Sequence, residues 1–65
     1  MKANNLDVSK YRFTPISEVE RGQYIVNLGY VLLAEDLKTH YNLIIDRIKE
    51  KQVIKFENDT VLVTI

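Results

Sequence analysis

The sequence predicts an α+β fold in one small domain: β-hairpins, one amphipathic helix and a C-terminal β-hairpin, in the order β-β-β-α-β-β. Three observations predict it. Residues 34–51 carry an apolar stripe at a near-helical period. Residues 53–65 alternate in character around Asn58-Asp59. Residues 23–33 are rich in Tyr, Ile and Val and are interrupted by Asn27-Leu28-Gly29.

Residues 1–9 are polar and unpatterned, which suits a flexible N-terminal arm before a single domain spanning 10–65. Tyr11-Arg12-Phe13-Thr14 alternates aromatic and polar, as a short strand does, and Pro15 ends regular pairing. The same segment also fits a helix start, with Thr14 as N-cap and Pro15 in the first turn, continuing to Glu20. Residues 23–27 and 30–33 then read as a hairpin, with Gly29 free to take positive φ.

The helix is expected over 34–51. Leu37, Tyr41, Ile44, Ile45 and Ile48 fall on one side, and Lys38, Asn42, Asp46 and Lys49 on the other. Glu35 and Asp36 near its start and Lys49 and Lys51 near its end complement a helix dipole. In the last segment a two-residue turn at Asn58-Asp59 pairs Phe56 with Val61 and Ile54 with Val63. That register sets Ile54, Phe56, Val61, Val63 and Ile65 on one face and Leu62 on the other.

Composition narrows the function classes. The 65-residue chain has no cysteine, so neither a disulfide nor a thiolate-bound metal holds it together. Homodimerisation is another route by which so small a core is completed. Lys plus Arg and Asp plus Glu both number 9, giving zero net charge and no overall basic excess for nucleic acid. No secretory signal and no apolar run of membrane-spanning length is visible, so the expected location is the cytoplasm. The abundance of Ile, Asn and Lys accompanies AT-rich genomes, which points to a low-GC bacterium or its phage.

No catalytic motif is present. The chain has one His, only Ser9 and Ser17 as serines, and no phosphate-binding glycine loop. On a helix, Asp36 and His40 would sit four apart, as a surface pair or two ligands of an incomplete metal site. The expectation is a non-enzyme with no cofactor, no bound metal and no membrane partner.

Two binding readings remain. In the first, LLAEDLKTHYNLIIDRIKEKQVIKFENDTVLVTI resembles the C-terminal half of a winged-helix domain. The resemblance implies a recognition helix over Asn42–Lys51 and a wing over Gln52–Ile65. Asn42, Arg47 and Lys49 would then face the DNA groove, and Lys38 and Lys55 would meet phosphates. In the second, the chain is a small regulatory protein that binds another protein or a second copy of itself. A phage or mobile-element inhibitor of a host protein is the natural example. One helix cannot cover both faces of a four- or five-stranded sheet. Tyr11, Arg12, Phe13, Tyr30 and Leu62 are therefore the expected partner-binding residues.

Overall fold

The computed structural model describes residues 10–65; the arm expected over residues 1–9 lies outside them. The chain forms one antiparallel sheet curled into a half-barrel. Its strands are β1 (Arg12–Pro15), β2 (Tyr24–Ile25), β3 (Gly29–Asp36), β4 (His40–Arg47), β5 (Glu50–Glu57) and β6 (Val61–Thr64). They lie in the order β1-β6-β2-β3-β4-β5.

This overturns the α+β expectation. The described residues are 61% strand and contain no helix of seven residues or more. Residues 34–51 are instead the end of β3, a turn, all of β4, a second turn and the start of β5. The apolar stripe was ambiguous because Tyr41 and Ile45 are four apart, a spacing that shares a face in both a helix and a strand. Tyr41, Leu43 and Ile45 satisfy the strand period, and Leu43 and Ile45 are buried. Ile44 points to the opposite face. The three β-branched isoleucines of the stripe favour the pleated form.

Ile48, expected in the core, is 88% exposed at a turn tip. Arg47 pairs with Glu50, so Ile48 and Lys49 form a two-residue hairpin turn, with φ of 49° and 68°. These angles fit a type I′ turn, which ordinarily takes Asn-Gly. No residue there announces it. The β3–β4 turn is hidden in the same way: Lys38 takes φ 75° and donates its N–H to Asp36 Oδ1 at 2.9 Å.

The winged-helix reading falls with the helix. Asn42–Lys51 is most of β4, a turn and the first residues of β5, so no recognition helix exists to enter a groove.

The C-terminal hairpin is also replaced. Its turn forms, with Thr60 N–H donating to the Glu57 carbonyl at 3.1 Å. The strands then separate: β5 pairs with β4, and β6 pairs with β1 and β2. The β6 faces are consequently the reverse of those expected. Thr64 is buried and Leu62 packs on the core, while Val61 is exposed.

The 23–33 segment does form a hairpin. Tyr24 pairs with Tyr30 and Ile25 with Gly29, although β2 is only two residues long. Gly29 has φ 134°, and a Cβ there would lie 2.4 Å from the Asp46 carbonyl oxygen of β4. Only glycine lets the two strands approach so closely. Further along β3 the register shifts between Val31 and Leu33. This bulge explains a run that is apolar throughout. Val31 opposes Ile45 and Ala34 opposes Leu43 on the inner face, while Leu33 opposes Ile44 on the outer one.

The core sits in the hollow of the sheet. Ile25, Val31, Leu43 and Ile45 come from the strands. Ile16 and Val19 come from the β1–β2 connection, where a single 3-10 turn spans Ile16–Glu18. Thr14 does not cap that turn; its hydroxyl is buried against Thr64 at 2.7 Å.

Candidate functional site

Strand alternation decides what each face offers. The inner face is spent on the core. The outer face begins on β1 and β6, where Phe13 opposes Val63 and Pro15 opposes Val61. Phe13 is 80% exposed because the inward position beside it belongs to Thr14. On β2 and β3 the rings of Tyr24 and Tyr30 meet edge to face at a centroid distance of 5.0 Å. Tyr30 is still 57% exposed. The row continues as Leu33 opposite Ile44 and Ile44 opposite Val53, which places one aliphatic group from each of β3, β4 and β5 side by side. Leu33 and Val53 are both exposed.

Charges of both signs border this row. Asp46 opposes Lys51 on one side, and Asn42 opposes both Glu35 and Lys55 on the other. The combination of an apolar centre with a mixed polar border is that of a protein-contact surface.

A groove of about 390 Å³ adjoins the Tyr24–Tyr30 pair at one end of the sheet. It is lined by the β2–β3 turn residues Asn27 and Leu28 and by Asp46, Arg47 and Ile48. A second hollow, of about 470 Å³, lies at the β1 edge, lined by residues that include Arg12, Phe13, Glu18 and Gln23.

The structure distributes the sequence-predicted residues unevenly. Phe13 and Tyr30 are on the outer face, in separate halves of the sheet. Tyr11 is half-buried just before β1, and Arg12 is exposed beside the second hollow. Leu62 points inward against the core. Of the residues assigned to DNA, Asn42 and Lys55 are cross-strand neighbours. Lys38 lies in the β3–β4 turn, and Arg47 and Lys49 lie at the opposite end of β4. They share no single surface. Sequence reasoning missed Leu33 and Ile44 as members of the outer row, because the bulge that turns Leu33 outward has no glycine to mark it.

Asp36 and His40 flank the β3–β4 turn. The His40 Nδ1 is 2.9 Å from the Thr39 hydroxyl, and no cluster of three or more metal-ligating side chains occurs among the described residues. Tyr41 opposes Asp36, and its phenol is held above the ordinary tyrosine range, first by desolvation, then by the Asp36 charge and a hydrogen bond to it. No helix among the described residues is long and apolar enough to cross a membrane. Comparison with protein-family models, curated proteins and solved structures finds no match to this chain.

Proposed function

We propose that this chain is a non-enzymatic regulatory protein that binds another protein through the outer face of its sheet. The observation that carries this reading is the row Leu33–Ile44–Val53, with Tyr30 and Phe13 beyond it, on a face that no other part of the described chain covers. Exposed apolar side chains occurring singly are ordinary. A contiguous set drawn from adjacent strands and edged by polar groups is the signature of a contact surface. Tyr and Phe supply large contact area at low entropic cost, which suits them as anchors.

The test is capture of a partner from the source organism by the wild-type chain and by a Tyr30→Ser/Leu33→Ser variant. Both positions are exposed, so the variant should keep its thermal transition. The expected result is a stoichiometric partner that the wild type retains and the variant loses. A wild-type chain that captures nothing, or a variant that binds equally well, overturns the reading.

A further inference from the structure

We propose that the free edge of β5 pairs with β5 of a second copy of this chain, joining two half-barrels into one continuous sheet. Among the described residues the sheet has two edges, β1 and β5. The β1 edge is four residues long and ends in Pro15, and both features blunt an edge. The β5 edge is eight residues long, with no proline and no glycine.

The β4–β5 hairpin determines which backbone groups are free. Arg47 and Glu50 close the two-residue turn and form a hydrogen-bonded pair. Alternation then directs the N–H and C=O groups of Glu50, Gln52, Ile54 and Phe56 toward β4. Those of Lys51, Val53, Lys55 and Glu57 point away from the sheet. The side chains of these four lie on the outer face.

Two copies related by a two-fold axis normal to the sheet match inner face to inner face only in certain registers. With the axis at Ile54, Lys51 lies opposite Glu57 of the second copy and Val53 opposite its Lys55. Every pair of free backbone groups is used, for about eight inter-chain hydrogen bonds. Ile54 meets its own copy, and Phe56 lies opposite Gln52 of the second copy with that copy's Ile54 diagonal to it. These two side chains face inward yet remain only half-buried, because the sheet ends beside them. The other registers are worse. An axis at Val53 sets Lys51 against Lys55, an axis at Lys55 sets that residue against itself, and an axis at Gln52 sets Lys55 against Lys49. An axis at Phe56 leaves Glu50–Ile54, more than half the strand, outside the ladder. The charge order of β5 is self-complementary in the one register that pairs all four of its outward-directed residues.

Sedimentation equilibrium between about 1 μM and 1 mM reads the association directly. The expected result is a monomer–dimer equilibrium that weakens as salt is raised, because the Lys51–Glu57 contacts are exposed. Glu57→Lys replaces two attractive contacts by two repulsive ones and should raise the dissociation constant about tenfold. Lys51→Glu should do the same, and it serves if circular dichroism shows that Glu57→Lys has not folded. The double variant Lys51→Glu/Glu57→Lys restores opposite charges in the same register and should recover dimerisation. A chain that stays monomeric throughout, or a dimer indifferent to these changes, overturns the proposal. Since neither Tyr30 nor Leu33 lies on this edge, loss of the edge contact and loss of the outer-face partner are separate outcomes.

Discussion

Thr14 and Thr64 are the buried polar side chains where β1 meets β6. Both are buried, and their hydroxyls are 2.7 Å apart, so one donates and the other accepts. Burying a hydroxyl without a partner is costly, whereas replacing both by methyl groups of the same shape removes the need for a partner. Thr14→Val or Thr64→Val alone should therefore destabilise by about 1–2 kcal/mol. The double variant should lie within about 1 kcal/mol of the wild type. Urea unfolding of the four proteins measures this cycle. Strict additivity would mean that the two hydroxyls do not depend on each other.

At the scale of the element, the turns carry the strain. Ile48 sits at φ 49°, a left-handed conformation that a β-branched side chain adopts at a cost. Its side chain is almost fully exposed, so little packing is returned for that cost. Replacing Ile48-Lys49 by Asn-Gly should stabilise the chain by about 1–2 kcal/mol, seen as a raised midpoint in chemical denaturation. A lowered midpoint would show that Ile48 makes a contact the turn needs. If Ile48 lay in a helical core, the same change would be destructive. Gly29 is the opposite case. Its conformation and its closeness to Asp46 leave no space for a side chain, so the hairpin of β2 and β3 depends on it.

Across the molecule the described residues form one sheet with two unlike faces, and the energetic consequences follow from the curl. Leu43 is fully buried in the hollow, whereas Leu33 is 43% exposed on the other side. Leu43→Ala should destabilise by about 2–5 kcal/mol, and Leu33→Ala by less than about 1 kcal/mol. Thermal or urea unfolding of the two variants separates the faces. Equal effects would mean that the outer face is covered within the monomer. Most pairings join segments close in sequence, but β1 must find β6 across almost the whole described chain. That closure brings Thr14, Ile16 and Leu62 to the core.

Several features were legible from residue order alone. The alternation of Arg12–Thr14, the break at Pro15 and the turns at Asn27–Gly29 and Asn58-Asp59 depend on local chemistry, and each appears in the structure. The absence of cysteine is likewise a property of the chain itself. What the tertiary structure alone decided was the state of residues 34–51 and the partner of β6. A stripe that fits both periods is resolved only by what lies beside it, and here β4 pairs with β3 on one side and with β5 on the other. The β4–β5 turn adopts positive φ at Ile and Lys because the flanking strands impose it, so no residue there signals a break. The outer-face position of Leu33 follows from a bulge, and the inward position of Leu62 follows from pairing with β1 rather than β5. Faces are set by register, and register is a relation between distant segments, which the local order of residues does not contain.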